Sequence, residues 1–459
     1  MQDSAERYGG LPPPAPFPDA AVIERLGDGL VHRRASSADI EALAAFNSLA
    51  LAEPPDYEPS PHLAIWVREL AGGEHPRVRV NDFSIVEDVN LHIIASASSL
   101  ISHTLCYEGI PFEAGQPEMV ATHPDYRRRG LVRLQFEELH RWSAARGQRL
   151  QLIDGIPWFY RQFGYEYALE HFEGRRAAKA EFPQGPAPGD LQVRPAAPQD
   201  LPFLRRLYEG LLERSAVGCV RDEASWRYEL TARHPMSYGR REIRVVERDG
   251  AGPIAAYAHY PILVLDGCLF VTFWEVAPGS RWNAPTEAAF AELCRTGEEY
   301  ARRDGQAFRE VQFLLGHQHP LYDEAPDILQ ARRAGSGYYV RVPDPVGFVR
   351  LVTPALERRL VASKAAGFSG AIEINLFRSG LRLELDAGRL RGVEEWSGSR
   401  ERPGHVSLPD LCFLQLLFGF RSLAQLCDHF PDADVQPGPE SAAADALFPR
   451  RPSPIWLTW

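Results

Sequence analysis

The chain repeats one segment on either side of a linker rich in Pro and Gly, and this repeat most limits the folds open to it. Residues 31–48 read VHRRASSADIEALAAFNS, and residues 192–209 read QVRPAAPQDLPFLRRLYE. Each segment predicts a short strand, a polar turn and then an amphipathic helix that begins at an acidic residue. An Arg precedes an Asp by the same spacing in both segments, as Arg33 and Asp39, then Arg194 and Asp200. The sequence therefore predicts two copies of one α/β unit, joined at 182–190 (FPQGPAPGD).

Breaks in composition predict an α+β protein of mixed α/β type, with three domains behind a short arm. The predicted parts are a poorly ordered arm at 1–28, a first unit at 29–181, a second unit at 190–343 and a C-terminal domain at 346–459. The arm is rich in Pro and has no basic start followed by an apolar run, so a signal peptide is not expected. At about 150 residues per domain, the length suits this count.

Hydrophobic patterns predict the secondary structure. In the first unit we expect two strands within 91–108, a strand at 117–122, a helix at 131–146, a strand at 149–153 and a short helix at 156–162 that Gly164 ends. In the C-terminal domain we expect a helix at 348–364, strands at 371–377 and 381–386, and an apolar helix over 407–425 that Ser407 or Asp410 caps.

Net charge and cysteine spacing exclude several classes of protein. With a formal net charge of −11, the chain lacks the clustered cationic charge that binds nucleic acids or anionic membranes, and it suits a cationic substrate better. No uncharged apolar stretch is long enough for a membrane span. The six cysteines lie far apart without a CxxC pair, which favours reduced thiols in a cytoplasmic protein. We therefore predict no metal and no nucleic-acid or membrane partner.

Three histidines are weaker candidates for chemistry. His317 and His319 have metal-like spacing but no third ligand nearby in sequence, so a pair of loop residues is the interpretation we favour. His103 lies in a predicted strand. It either contacts the acyl group or is a strand residue with satisfied hydrogen bonds, and we favour the second.

The segment from Val120 to Val132, VATHPDYRRRGLV, carries the clearest chemical signal. A strand ends near Thr122, and a turn leads directly into a helix that begins near Gly130. The first N–H groups of a helix have no internal partners and, with the positive end of the helix dipole, form an anion site. Gly130 lets the backbone approach a diphosphate, and Arg127 and Arg128 add charge-assisted hydrogen bonds. The pattern indicates a pyrophosphate site; the alternative is a solvated basic turn.

This segment resembles the acetyl-CoA motif of the GCN5-related N-acetyltransferase superfamily. That motif is Gln/Arg-x-x-Gly-x-Gly/Ala, and here it reads Arg127-Arg128-Arg129-Gly130-Leu131-Val132, with Val132 in place of Gly or Ala. The later string at 158–165, WFYRQFGY, resembles the superfamily's aromatic helix followed by a Gly-aromatic pair. The resemblance implies acetyl-CoA as co-substrate, with its pantetheine arm on the backbone of Val120, Ala121 and Thr122. The matching place in the second unit, VAPGSRW at 276–282, lacks the motif, so we predict a degenerate copy there.

The three-part layout resembles the enhanced intracellular survival family, in which two acetyltransferase-like units precede a sterol-carrier-like domain. The resemblance implies an enzyme that acetylates primary amines of cationic small molecules or lysine-like acceptors. It also implies a homo-oligomer, which is a hexamer in several members. The family's general acid falls on Tyr160, and its general base, the carboxylate of the last residue, falls on Trp459. Thr458 stands where the family carries an acidic residue that meets cationic substrates.

Elementary proton chemistry supports these two roles unequally. A phenol with a pKa near 10 can protonate a departing thiolate. A terminal carboxylate is a weaker base, because its pKa of about 3.5 lies about 6 units below that of an ammonium. The difference in pKa would be smaller if burial raised the pKa of the carboxyl group, or if the proton came from a cationic tetrahedral intermediate. No cysteine lies in the motif, so we expect direct transfer without an acyl-enzyme.

The C-terminal domain leaves other functions open. Sterol-carrier-like domains can enclose lipids, so the apolar run 411–423 would line a cavity if the chain were a lipid-binding protein with inactive acetyltransferase folds. The domain could also serve assembly alone. Arg127, Arg128, Gly130 and Tyr160 favour the enzyme, because a lipid-binding protein has no use for a pyrophosphate turn.

Overall fold

The computed structural model describes residues 22–52, 58–183, 189–265, 267–399 and 402–458. Its strands form three sheets of nine, seven and five strands. Within these ranges, no helix is both long and apolar enough to cross a lipid bilayer.

The first sheet combines the amino-terminal strands with two strands from later in the chain. Its strands are β1 (Val22–Gly27), β2 (Leu30–Arg34), β3 (Phe83–Asp88), β4 (Ile93–Tyr107), β5 (Ile110–Thr122), β6 (Leu150–Ile153), β7 (Glu166–Leu169), β10 (Val217–Cys219) and β16 (Tyr338–Arg341). They run in the order β1-β2-β3-β4-β5-β6-β16-β7, and β10 pairs with β4. Helices α1 (Ile40–Ala50) and α2 (Pro61–Ala71) pack on one face, and α3 (Leu131–Ala145) packs on the other.

The second sheet also lies between helices. Its strands are β8 (Gly174–Ala178), β9 (Leu191–Pro195), β11 (Glu242–Arg248), β12 (Gly252–His259), β13 (Cys268–Val276), β14 (Glu310–Phe313) and β15 (Ala331–Arg333), in the order β15-β8-β14-β13-β12-β11-β9. Helix α4 (Leu201–Arg214) contributes to one apolar core and α6 (Asn283–Asp304) to another. The short helices α5 (Glu223–Arg227) and α7 (Pro320–Glu324) complete this part.

The third sheet belongs to the C-terminal domain. Its strands are β17 (Gly370–Asn375), β18 (Gly380–Asp386), β19 (Arg389–Glu395), β20 (Val406–Ser407) and β21 (Asp434–Val435), in the order β19-β18-β17-β20-β21. Its helices are α8 (Pro345–Val361), α9 (Cys412–Leu417), α10 (Leu423–His429) and α11 (Pro439–Leu447). The domain shares one continuous apolar core with the outer end of β4, where the Tyr107 hydroxyl donates to the Leu417 carbonyl at 2.7 Å.

The first two sheets begin with the same ionic arrangement. Arg33 pairs with Asp39 at 2.7 Å and with a glutamate of the neighbouring strand, Glu87, at 2.8 Å. The equivalent distances in the second sheet are both 2.7 Å, from Arg194 to Asp200 and to Glu247. In each case the Asp also accepts from the backbone three residues before it. The repeated spacing in the sequence thus corresponds to a repeated local structure.

Each of these two sheets contains a strand from the other segment of the chain. Strand β8 precedes the linker but pairs with β14 and β15 in the second sheet. Strand β16 lies at the end of the second segment but pairs with β6 and β7 in the first sheet. The sheets therefore do not follow the predicted boundaries at 181 and 190, because the two segments exchange strands.

The prediction of two strands within 91–108 is wrong, because Ile93–Tyr107 is one long strand. The small polar residues in its middle do not interrupt it, since the neighbouring strand accepts hydrogen bonds from two of their hydroxyls. Ser96 donates to the Ala121 carbonyl at 2.9 Å, and Ser99 donates to the Glu118 carbonyl at 3.1 Å.

Two other boundaries also differ from the prediction. The apolar run 407–425 is not one helix: Ser407 lies in β20, Gly419 adopts a φ of 68° after α9, and Ser422 caps α10. The predicted arm reaches too far, because Val22–Gly27 forms β1; residues 1–21 lie outside the described ranges. The helices predicted at 131–146 and 348–364 are confirmed to within a few residues.

Candidate active site

A cleft opens in the first sheet where β5 and β6 separate. The two parallel strands pair at only two positions, Ala114 with Leu150 and Gly115 with Gln151. Beyond them, a bulge at Met119, whose φ is 55°, redirects β5. The β6-facing edge of β5 then has no paired strand among the described residues. Val120, Ala121 and Thr122, the residues predicted to hold the pantetheine arm, lie on this open stretch.

The predicted pyrophosphate turn lies at the end of β5 and leads into α3. Arg127, Arg128 and Arg129 are exposed, and Arg129 stacks on the Tyr126 ring at 4.9 Å. Gly130 has a φ of 78°, and a Cβ at this position would meet nothing within 4 Å. No side chain caps α3, so its first N–H groups are available to a ligand.

The last two residues of the motif contribute differently from the arginines. Leu131 is buried in a small apolar cluster beneath the turn, and Val132 is partly buried beside the aromatic cluster of Phe136 and Tyr160. Their side chains hold the helix on the sheet. Only their backbone groups, at the start of α3, are placed to contact an anion.

Tyr160 lies in the cleft, in a short 3-10 helix over Phe159–Phe163 that Gly164 ends with a φ of 84°. Its ring packs against Phe136 and Tyr339 at centroid distances of 5.6 and 5.7 Å. A Cβ on Gly155 would lie 2.1 Å from this ring, so the close approach requires glycine. The Tyr160 hydroxyl makes no hydrogen bond within the described ranges, which leaves its proton available to a ligand. Burial, and then the negative charges of Glu118 and Asp154, raise the pKa of Tyr160.

Two carboxylates share the cleft with Tyr160. Glu118 lies at the bulge of β5, where it accepts from Gln116 Nε2 at 2.7 Å and from the Met119 N–H at 3.1 Å. Asp154 directly follows β6 and accepts from His171 Nε2 at 3.0 Å. Burial raises the pKa of Glu118 to about 7, and the nearby charge of Asp154 adds to this effect. A carboxyl group with this pKa can exchange protons near neutrality.

The sequence analysis did not identify Glu118, Asp154 or His171. A usable signal existed for Asp154, which directly follows the strand predicted at 149–153, because parallel neighbours bring their carboxyl ends together at one edge of a sheet. Glu118 had no such signal, because it lies near the start of the strand predicted at 117–122. His171 had no such signal, because only the folded chain brings it to Asp154.

Replacing Glu118 with Gln should stabilise the protein at about pH 8 and leave it almost unchanged at about pH 4. The folded-state pKa lies above the ordinary value of 4.5, so the stability that protonated Glu118 supports is lost as pH rises through about 7. Glutamine stays neutral, and we expect a gain of about 1–3 kcal/mol in the free energy of unfolding at the higher pH. Urea denaturation at both pH values measures this, with the exposed Glu137→Gln as control. An equal effect at both pH values would contradict the buried environment.

The three weaker histidine candidates have protein partners. His103 is buried, and its Nε2 lies 2.8 Å from Gln116 Oε1, which confirms a satisfied strand residue; burial lowers its pKa to about 3. His317 pairs with Glu170, and His319 lies 3.5 Å from Glu275. The described residues include no group of three or more ligating side chains placed to hold a metal.

A second cleft opens between β13 and β14. These strands pair in parallel from Cys268 to Val271 and then separate, as β5 and β6 do. A cavity of about 60 Å³ lies there, and residues of β13, of the segment between β7 and β8 and of the C-terminal segment line it. Its lining includes His171, whose side chain bonds Asp154 of the first cleft. The turn after β13 carries one arginine, Arg281, and no helix-opening Arg-x-x-Gly string.

The C-terminal segment runs along this cavity. Ser453 N–H donates to Glu170 at 3.1 Å, and Trp456 lines the cavity wall. Thr458 is buried. The predicted base, the carboxylate of Trp459, lies outside the described residues.

Comparisons with known proteins identify the first part of the chain and the fold of the whole. Residues 32–168 match the model of an acetyltransferase (GNAT) domain. No curated protein matches the chain.

Solved structures share the fold over nearly the full chain. A GCN5-related N-acetyltransferase from Kribbella flavida is 16% identical with a TM-score of 0.60, and 93% of this chain and 97% of that one are covered. A GCN5-related N-acetyltransferase from Anabaena variabilis is 14% identical with a TM-score of 0.59, with 93% and 99% covered. Eis1 from Mycobacterium abscessus is 16% identical with a TM-score of 0.53, with 91% and 97% covered.

The matched region contains the open edge of β5, the uncapped start of α3 and Tyr160. Domains of this type use acetyl-CoA. Residues 32–168 are therefore an acetyltransferase domain of the GNAT type, and the chain is an acetyltransferase.

Proposed function

We propose that the chain transfers the acetyl group of acetyl-CoA directly to a primary amine of a cationic small molecule, at the cleft between β5 and β6. One observation carries the proposal: the Tyr160 hydroxyl makes no hydrogen bond within the described ranges and lies close enough to Glu118 for that charge to raise its pKa. The exposed arginine turn leads into α3, which packs on the same aromatic cluster. The turn suits the diphosphate of the co-substrate, and the open edge of β5 suits its pantetheine arm. Bound there, acetyl-CoA supplies the thioester.

The reaction forms one bond and breaks one. The neutral amine attacks the thioester carbonyl, so that a C–N bond forms as the C–S bond breaks. The amine loses a proton to a carboxylate, and Tyr160 gives its proton to the departing sulfur. The burial that raises the pKa of Tyr160 also raises that of a thiol leaving in the same cleft, so the two groups stay matched.

Two carboxylates are candidates for the proton of the amine. The sequence predicts the terminal carboxylate of Trp459. Glu118 is the second candidate. Its pKa of about 7 is closer to the pKa of an amine than the pKa of a terminal carboxyl group is. The pH profile of kcat separates them: Glu118→Gln removes a limb near pH 7 if Glu118 accepts the proton, and leaves the profile unchanged if Trp459 does.

We propose the cavity between β13 and β14 as the acceptor site. Three carboxylates line it. Glu170 and Glu275 are each paired with a basic side chain, His317 and Arg214. Among the described residues, the nearest basic partner of Glu173 is Arg450, at 3.9 Å, so its ion pair is the longest of the three. It is the carboxylate best placed to meet a positive charge on the acceptor.

The finer family features belong to the same proposal. The repeated ionic arrangements support two tandem acetyltransferase-like units. The five-stranded sheet with its helices suits a sterol-carrier-like domain, and the resemblance implies a homo-oligomer in the cytoplasm. Lipid binding is less favoured, because Phe413, Leu416 and Phe418 are buried in a continuous core.

Calorimetric titration of acetyl-CoA into the full chain tests the proposal. We expect one site per chain, and a loss of affinity of about 100-fold in the double variant Arg127→Ala/Arg128→Ala, because each arginine supplies a charge-assisted hydrogen bond. Arg141→Ala is the matched control, since it is an exposed arginine further along α3. Two sites would mean that the second cleft also binds co-substrate. An absence of binding would contradict the proposal and favour lipid binding; binding would lead to a panel of amines with thiol release as readout.

A further inference from the structure

Arg221 holds the last described residues of the chain. Its side chain is fully buried, and Nη1 donates to the carbonyls of Trp456 at 3.2 Å and Leu457 at 3.3 Å. Nη2 donates to Glu229 at 3.0 Å. The guanidinium contacts two indole rings, at 4.8 Å from that of Trp226 and 4.5 Å from that of Trp456, and the two rings also contact each other edge to face. One buried cation therefore fixes both the backbone and a side chain of the C-terminal segment.

The same arginine is fixed to the first sheet. It directly follows β10 and Val220, and the Val220 N–H donates to the Thr104 carbonyl of β4 at 2.8 Å. Further along, β4 pairs with the open stretch of β5, where Ala97 faces Ala121. Arg221 thus connects the C-terminal segment to β4, the strand beside β5 in the first sheet.

Arg221 belongs to a buried cluster of charges. Arg221 and Arg233 are both buried and share one buried carboxylate, Glu229. The charge of Asp222 acts on Arg221, and that of Arg241 acts on Glu229. Buried charges need partners, and here the two carbonyls of the C-terminal segment supply part of the compensation. The planar guanidinium suits this task because it presents several donors in fixed directions, which lysine cannot.

We propose that Arg221 is the positioning residue that fixes the C-terminal segment along the cavity between β13 and β14, the proposed acceptor site. The inference rests on the proposed function, because it assigns to the C-terminal segment a part in the same site. Without this contact, the C-terminal segment no longer keeps a fixed position along the acceptor cavity. The acceptor amine is then held less precisely.

Arg221→Met in the full chain tests this role, with Arg227→Met as the matched control. Arg227 lies on the adjacent helix and pairs only with exposed Glu223. We expect Arg221→Met to lower kcat on the order of 100-fold, because a small misplacement of a reacting group can have this effect. The calorimetric Kd of acetyl-CoA should stay unchanged, because the turn at Arg127–Gly130 does not involve Arg221. Hydrogen exchange of the 453–458 peptide should become faster in Arg221→Met and not in Arg227→Met.

A double-mutant cycle with a chain lacking residues 456–459 makes the test specific, because this truncation removes both carbonyls and the indole ring that Arg221 contacts. If Arg221 acts through the C-terminal segment, Arg221→Met has no further effect on kcat in that background. Where Arg221→Met does not fold, Arg221→Lys keeps the charge but not the fork of donors, and we expect the same pattern at smaller size. A folded Arg221→Met variant with the kcat of the wild-type protein, or with unchanged hydrogen exchange of the segment, would overturn the inference. In that case the activity of the wild-type protein would still support the proposed function. A wild-type chain that neither binds acetyl-CoA nor releases thiol would overturn both.

Discussion

Replacing Tyr160 with Phe is expected to lower kcat for acetyl transfer by about 100- to 1,000-fold, which is the usual contribution of a general acid. The substitution removes one oxygen and keeps the ring among Phe136 and Tyr339, so the packing of the cleft remains. The hydroxyl has no hydrogen bond within the described ranges, and its loss should hardly change the free energy of unfolding. Thiol release with a reactive amine measures kcat, and calorimetry should show an unchanged Kd for acetyl-CoA.

Tyr165→Phe provides the control for this experiment. Tyr165 belongs to the same aromatic cluster, and its hydroxyl bonds His140 at 3.0 Å, away from the cleft carboxylates. Its loss should lower stability by about 1 kcal/mol and leave kcat nearly unchanged. If Tyr160→Phe retained most of the wild-type activity, or if Tyr165→Phe lost as much, Tyr160 would not be the acid.

Replacing Gly130 with Val is expected to weaken acetyl-CoA binding by about 100-fold, which corresponds to the loss of close backbone hydrogen bonds to a charged ligand. The new side chain would point into space that no atom of the protein occupies within 4 Å, so it obstructs the ligand and not the fold. Calorimetry measures the affinity.

Gly147 offers a matched control at the other end of α3. It has a φ of 66°, and a Cβ there would also meet nothing within 4 Å. Valine is strained at either position by about 1–2 kcal/mol, so both variants should lose similar stability. Only Gly130→Val should lose affinity for acetyl-CoA. Equal affinities in the two variants would mean that the start of α3 does not hold the diphosphate.

The sequence predicts the parts of the site that depend on neighbouring residues. The strand, turn and helix from Val120 to Val132 form one local structure, and Tyr160 lies in a short helix that a glycine ends. Such features follow from capping and backbone conformation, which are local properties. For this reason the turn before α3 and the short helix that carries Tyr160 match the structure as local conformations, and the roles of their residues stay predictions.

The remaining features depend on contacts between distant residues. Glu118 becomes a candidate only because a bulge turns it into the cleft, and Asp154 because β6 leaves β5 after two paired residues. Arg221 and the exchanged strands β8 and β16 connect segments that lie far apart in sequence. Periodicity reports which face of a strand is buried, but it does not report which strand lies beside it.

The exchanged strands have a consequence for how the chain folds during synthesis. Strand β7 is made early, but its partner β16 follows the whole second segment. At a translation rate of about 5–20 residues per second, the gap between them lasts roughly 10–30 s. During this time β6 and β7 have open edges, which favour pairing with other chains. A nascent chain released before Tyr338–Arg341 should therefore aggregate, and productive folding should depend on chaperones that cover the open edges until the second segment leaves the ribosome.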